Sequence, residues 1–145
     1  MQDLTTKTQK IAQSVEPVLA ADTDVVAAYL FGSAATGRQR PGSDIDIALL
    51  LASGRPLPDR KALLGRLLPP LCRALRADVH LLVLNDASFP AQAQVLQKGR
   101  LLYVGDRKQL ALFRMKSLAM IADFAPYLQM TQKGLQNRLR NAHGR

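Results

Sequence analysis

The amino-acid sequence predicts a single small α/β domain in which helices pack on a β-sheet. Apolar runs of strand length stand at Val25–Phe31, Ile45–Leu51 and 77–84, and turn-forming residues follow each of them. Leucines recur at helical spacing between the second and the third run. The chain has 145 residues, of which 48% are apolar and 21% are charged, and this composition is typical of one globular domain.

Local patterns place the elements along the chain. Ile11, Val15 and Val18 recur at roughly helical spacing and predict the first helix. The second strand is nearly continuous in apolar residues, which is typical of a central strand, and a loop over 38–43 with a Pro41-Gly42 turn precedes it. In chain order, the predicted elements are a helix over 5–19, a strand over 25–31, a helical turn over 34–37, a strand over 45–51, a helix over 58–75, a strand over 77–84, a helix over 89–98, a short edge strand over 101–104 and a last helix over 106–128.

Breaker and cap residues set the bounds of the later elements. Pro69-Pro70 interrupt the leucine stripe of the helix over 58–75, so a kink or two shorter helices are expected there. The residues over 85–88 form a turn and a helix cap, and Gly99 ends the helix that follows. The leucines of the stripe are Leu63, Leu64, Leu67, Leu68, Leu71 and Leu75.

The net charge of +9 is unevenly distributed along the chain. Residues 1–52 carry 4 Lys/Arg against 6 Asp/Glu, whereas residues 53–145 carry 16 against 5. The positive part is expected to attract an acidic partner, a nucleotide or a nucleic acid. Because the sequence has no aromatic stacking platform and no recognised DNA-binding motif, we do not expect a nucleic acid as the direct partner.

The sequence also restricts the compartment and the domain organisation. No apolar run approaches the length of a membrane span, and the N-terminus lacks a signal pattern, so a cytoplasmic protein is expected. Cys72 is the single cysteine, which excludes an internal disulfide, and its leucine-rich surroundings predict a small core residue. Residues 1–130 are expected to form the domain, and the basic residues 131–145 a flexible tail.

Two aspartates begin the second apolar run. Residues two apart along a strand share a face, so Asp44 and Asp46 are expected to point the same way. Two neighbouring carboxylates repel each other, and it is costly to leave both ionised in a half-buried strand unless a cation lies between them. A hard divalent cation such as Mg²⁺ prefers oxygen ligands and often binds carboxylates together with phosphates. The pair therefore predicts a magnesium site.

Gly32-Ser33 supply the complementary part of the site. Glycine lets the backbone approach a ligand closely, and the backbone N–H groups of such a turn, with a serine hydroxyl, can bind phosphate oxygens. A phosphate-binding turn beside a metal that is held by carboxylates is the arrangement that phosphoryl or nucleotidyl transfer uses.

Gly32-Ser33, ten intervening residues and Asp44-Ile45-Asp46 resemble the GS-x10-DxD signature of the DNA-polymerase-β-like nucleotidyltransferases. The chain length and the stretches DVHLLVLNDAS and QVLQKGRLLYVGD are similar to the minimal nucleotidyltransferase (MNT) branch, including the antitoxins that pair with HEPN toxins. The resemblance implies a small mixed β-sheet flanked by helices. It also implies Mg²⁺ as cofactor and ATP as the donor substrate.

The same resemblance implies roles for further residues. Asp78 stands where the family has a third carboxylate, which holds a metal and accepts the proton of the attacking hydroxyl. Ser43 could add a hydroxyl or hold the loop. Arg38 and Arg40 could contact triphosphate oxygens or remain solvated, because this chain lacks the arginine that many relatives have just after Gly-Ser. His80 could share the face of Asp78 and is expected to be a hydrogen-bonded structural residue.

The implied function is that of an antitoxin that transfers AMP to a tyrosine of a cognate HEPN-type RNase toxin and so inactivates it, in a hetero-oligomer with that toxin. Two alternatives remain open. The chain could modify a small molecule such as an aminoglycoside, or it could neutralise its partner by contact alone. The intact set of Gly32, Ser33, Asp44, Asp46 and Asp78 argues against a site that has lost catalysis.

Overall fold

A computed structural model describes residues 4–37, 42–54 and 56–124 of the chain. Its elements, in chain order, are α1 (Leu4–Ala20), β1 (Val25–Phe31), α2 (Ser33–Thr36), β2 (Ile45–Leu51), α3 (Leu57–Leu75), β3 (Val79–Val83), a 3-10 turn (Leu84–Asp86), α4 (Phe89–Lys98), β4 (Arg100–Val104) and α5, which spans residues 107–124. Every predicted helix and strand is therefore present within the described residues. The predicted end of the last helix at 128, residues 38–41 of the predicted loop and the predicted tail over 131–145 lie outside the described residues.

The four strands form one mixed sheet in the order β3-β2-β1-β4. β1 is antiparallel to both β2 and β4, whereas β2 and β3 are parallel. β2 thus has a strand on each side, which confirms the predicted central strand, and β4 lies at an edge as predicted. The parallel pair requires a crossover connection, and α3 provides it.

Helices cover both faces of the sheet. Along β2, Ile47 and Leu49 are buried against α1 and α3, whereas Ala48 and Leu50 belong to a second core with residues of α4 and α5. Because successive strand residues point to opposite faces, a strand covered on both sides needs apolar residues at nearly every position. This requirement explains the uninterrupted apolar run of β2.

The structure corrects two predicted bounds. α3 is continuous, so of the two alternatives expected at Pro69-Pro70 the division into two shorter helices is wrong. Leu67 and Leu71, on either side of the prolines, are buried in the same core, and this packing outweighs the backbone hydrogen bonds that two prolines remove. The third strand is also shorter than predicted, because Asp78 precedes it and Leu84 already belongs to the 3-10 turn.

Side-chain hydrogen bonds hold the turns in place. Leu51 donates its backbone N–H to Asn85 Oδ1 and accepts from Asn85 Nδ2 through its carbonyl, both at 2.9 Å, so the 3-10 turn is tied to the end of β2. Asp106 begins α5, as predicted, and its Oδ1 accepts the backbone N–H of Gln109 at 3.0 Å. Of the interactions that lower the pKa of the Asp106 carboxyl group, this hydrogen bond has the largest effect. No helix in the described part of the chain is long and apolar enough to cross a membrane.

Candidate active site

The Gly-Ser turn and the aspartate pair meet at one edge of the sheet. Phe31 ends β1 and pairs with Asp46 of β2, so the chain leaves β1 beside the start of β2. Gly32 has φ +70°, and a Cβ added to it would lie 2.5 Å from Asp46 Oδ2. Only glycine meets both conditions, because a side chain at this φ is strained and this side chain would also overlap the carboxylate. The backbone of the turn therefore lies directly against an Asp46 oxygen.

Ser33 follows as the first residue of the one-turn helix α2. Ala34 and Ala35 anchor this turn in the core, and Gly37 ends it in a left-handed conformation, with its N–H donating to the carbonyl of Ser33. Ser33 itself is half-buried at the start of the turn. The predicted phosphate-binding residues thus lie on a short segment that is packed against the sheet, which limits the freedom of the turn before a ligand binds.

The structure brings Asp78 to the same edge as the aspartate pair. The N–H of Ile45 donates to the carbonyl of Asp78 at 2.9 Å, and the register continues with Ile45 opposite Val79. The backbone at Asp78 therefore lies beside the Asp44–Ile45 peptide. Asp44 and Asp78 are exposed, whereas the Asp46 side chain is 29% exposed.

His80 contacts Asp46 across the parallel strands. The two residues are register partners, and His80 Nδ1 lies 3.3 Å from Asp46 Oδ1. The sequence predicted that His80 is a structural, hydrogen-bonded residue near Asp78. It did not indicate Asp46 as the partner, because that contact depends on the register between β2 and β3. One oxygen of Asp46 therefore faces His80 and the other faces the backbone of Gly32.

The donor chemistry of this edge suits a hard cation. Asp44, Asp46 and Asp78 offer only carboxylate oxygens, which Mg²⁺ prefers. Among the described residues, no three Asp, Glu, His or Cys side chains converge in a metal-holding group. The residue types and the adjacent backbones therefore fit the ion, although the side chains are not arranged around one.

The remaining predicted site residues lie close to, or within, a part of the chain that the structure does not describe. Ser43 is half-buried immediately before Asp44. Arg38 and Arg40 lie outside the described residues, so their predicted contacts with phosphate stay predictions.

Arg100 is a residue of this region that sequence reasoning missed. It is half-buried at the start of β4, and its Nε donates to the carbonyl of Ala35 at 3.0 Å. β4 pairs with β1 so that Arg100 lies opposite Leu30, two residues before Gly32. Because 65 positions separate Arg100 from Ala35, no local pattern in the sequence indicates the contact. Arg100 thus ties the turn that carries Ser33 to the edge strand.

Replacement of Arg100 by methionine is expected to lower the free energy of unfolding by about 1–2 kcal/mol, because the partly buried carbonyl of Ala35 loses its charged donor. Looser α2 geometry should also weaken the binding of phosphate by the Gly-Ser turn that the sequence predicts. Urea unfolding and isothermal titration with a nucleoside triphosphate measure the two effects. Arg100→Lys, which keeps a cation, is the matched variant, and equal affinities of wild type and Arg100→Met would contradict the positioning role.

A cleft of about 500 Å³ opens between the Gly-Ser turn and α4. Phe31, Leu82 and Val95 provide much of its apolar surface, and Ser33, Thr36, Gln94 and Lys98 provide polar groups. Tyr29 lies in the buried core of the same face of the sheet, and burial raises the pKa of its hydroxyl. The cleft has the size and mixed lining of a small-ligand site.

Comparisons with known proteins agree with this geometry. Residues 13–108 match the family described as polymerase beta, nucleotidyltransferase. The protein adenylyltransferase MntA of Shewanella oneidensis is 38% identical over 92 residues, a stretch that makes up 63% of either protein. The match thus spans less than two thirds of the length of that relative.

Solved structures extend the similarity beyond this stretch. A toxin–antitoxin crystal structure with AMP-PNP superimposes with a TM-score of 0.62 at 29% identity, over 88% of this chain and 97% of the other. A complex of tri-AMPylated Shewanella oneidensis HEPN toxin with MNT antitoxin gives a TM-score of 0.53 at 26% identity, over 94% and 98% of the two chains.

Proposed function

We propose, from the premise that this chain belongs to the polymerase beta nucleotidyltransferase family, that it is an antitoxin. In this proposal it transfers AMP from ATP to a tyrosine of a cognate HEPN-type RNase toxin and so inactivates the toxin. The observation that carries the proposal is the close approach of the Gly32 backbone to the carboxylate of Asp46, because a turn proposed to bind phosphate then lies beside a strand proposed to bind a cation. The AMPylated toxin in a similar complex supports the class of acceptor.

Each residue of the site has its own role in the proposed reaction. The Gly32-Ser33 turn binds and orients the triphosphate, with Ser43 and Arg38 as further proposed contacts. Asp44, Asp46 and Asp78 would hold Mg²⁺, and a bound Mg²⁺ would offset negative charge on the phosphates. Asp78 also accepts the proton of the attacking tyrosine hydroxyl. The tyrosine oxygen forms its bond to the α-phosphorus as the bond to the β-phosphate oxygen breaks, and pyrophosphate leaves.

The acceptor is supplied by a second polypeptide. The described chain consists of the sheet and its covering helices, with a cleft at the Gly-Ser turn, and Asp44 and Asp78 are exposed to an approaching partner. When the acceptor is a side chain of a folded partner, this chain needs no pocket of its own for a small acceptor molecule. The proposed assembly is therefore a hetero-oligomer of this chain with its toxin in the cytoplasm.

Intact mass spectrometry of the candidate toxin, after incubation with this protein, ATP and Mg²⁺, tests the function. We expect a gain of whole AMP units on a tyrosine, which peptide mapping locates. The doubly substituted Asp44→Ala/Asp46→Ala protein should give no gain. If the toxin keeps its mass but is still inhibited by this double variant, the protein neutralises by contact and the enzymatic proposal fails.

A further inference from the structure

We propose that Lys98 of α4 binds the terminal phosphates of the donor nucleotide, from the wall of the cleft opposite the Gly-Ser turn. This assignment rests on the proposed function and adds a residue to it. Lys98, Gly32 and Ser33 line the same cleft, although 65 positions separate Lys98 from Ser33 in the chain. Helix α4 would thus contribute to nucleotide binding as well as to the core.

The register of the edge strand places Lys98 at this end of the sheet. β4 begins two residues after Lys98, and Arg100 pairs with Leu30, two residues before Gly32. Gly99, between them, is packed so closely that an added Cβ would lie 2.4 Å from the carbonyl oxygen of Val95 and 3.2 Å from that of Leu30. The chain at the end of α4 is therefore held tightly against β1, and the position of the Lys98 backbone follows from that packing.

A cation such as Lys98 suits the charge that a bound nucleotide brings into the cleft. A nucleoside triphosphate brings several negative charges, and the α2 residues that line the cleft are Ser33, Ala35 and Thr36, none of which is charged. Among the lining residues that the structure describes, Lys98 is the one charged side chain.

Apolar residues line the cleft beside Lys98. Phe31 and Leu82 are half-buried there, so a phosphate bound in the cleft would be partly shielded from water, whereas Lys98 itself is exposed on α4 and can reach an incoming anion. Lysine is also a usual point-charge ligand for phosphate.

Lys98 also lies in the last turn of α4, where a cation favours the helix through the helix dipole. That role predicts a small change in stability and no preference among nucleotides. Contact with the terminal phosphates predicts instead that the loss of the cation weakens binding of a triphosphate and leaves binding of a monophosphate unchanged. The two roles are therefore separable by a comparison of ligands.

Isothermal titration of wild type, Lys98→Met, Lys98→Arg and Lys61→Met with AMP-PNP and with AMP, in the presence of Mg²⁺, tests the assignment. We expect Lys98→Met to weaken AMP-PNP binding by about tenfold or more and to leave AMP binding within about twofold of wild type. Lys98→Arg should retain most of the affinity. Lys61 is exposed on α3, which packs on the other face of the sheet, so Lys61→Met controls for the loss of one positive charge.

Equal AMP-PNP affinities for Lys98→Met and Lys61→Met would overturn the assignment and leave the proposed function intact. Equal losses for AMP-PNP and AMP would also overturn it, because they would indicate a structural effect. If wild type binds AMP-PNP no better than AMP, no contact with terminal phosphates exists. A wild type that binds neither nucleotide would remove the proposed function together with this inference.

Discussion

Replacement of Gly32 by alanine is expected to lower the rate of AMP transfer by about 100-fold, because a methyl group 2.5 Å from Asp46 Oδ2 must displace either the turn or the carboxylate. The same substitution should lower the free energy of unfolding by about 1–3 kcal/mol, since alanine is strained at φ +70°. Initial rates by intact mass spectrometry of the toxin and urea unfolding measure the two effects separately.

Gly54→Ala is the matched control for this substitution. Gly54 has φ +87°, but no atom of the described residues lies within 4 Å of an added Cβ, so alanine there incurs the backbone strain without the overlap. We expect Gly54→Ala to be destabilised by about 1–2 kcal/mol with nearly unchanged transfer at a temperature where it is folded. If the two variants transfer AMP at the same rate, the close contact between Gly32 and Asp46 does not matter for the chemistry.

Replacement of Asp46 by asparagine is expected to lower transfer by at least about 10³-fold. Asparagine is similar in size but carries no negative charge, so it removes the carboxylate proposed to bind the cation between the Gly-Ser turn and His80. The stability should change little, within about 1 kcal/mol, because the contact that is altered involves an exposed histidine. Single-turnover rates and thermal unfolding under the same conditions distinguish the two quantities.

Asp59→Asn serves as the control for the loss of one carboxylate, because Asp59 is exposed in the first turn of α3. That variant should transfer AMP at close to the wild-type rate. An Asp46→Asn protein that stays folded and retains more than about a tenth of the wild-type rate would show that Asp46 is not a ligand of an essential cation.

Much of the fold could be predicted from local patterns. The spans of β1 and β2 agree with the predicted strands, because apolar runs ended by turn residues have few other ways to form a buried sheet. Element ends were less predictable. α3 passes through Pro69-Pro70, since the leucines on both sides are buried in one core, and the strength of that packing is not visible in the local sequence.

The sequence by itself determined the residue types of the candidate site. Gly32-Ser33 and Asp44-Ile45-Asp46 are each short segments, so their local conformations and chemistry are encoded by adjacent residues. The pairing of β1 with β2 then brings the two segments together, because each lies at the end of a strand that is next to the other in the chain.

Only the tertiary structure decided which distant residues complete the site. His80 faces Asp46 because of the parallel β2–β3 register, and Arg100 reaches Ala35 because β4 pairs with β1. Lys98 lines the cleft because α4 crosses the sheet before that pairing. These contacts depend on strand order and register, which arise from the packing of whole elements on one another, and neither residue spacing nor propensity specifies them.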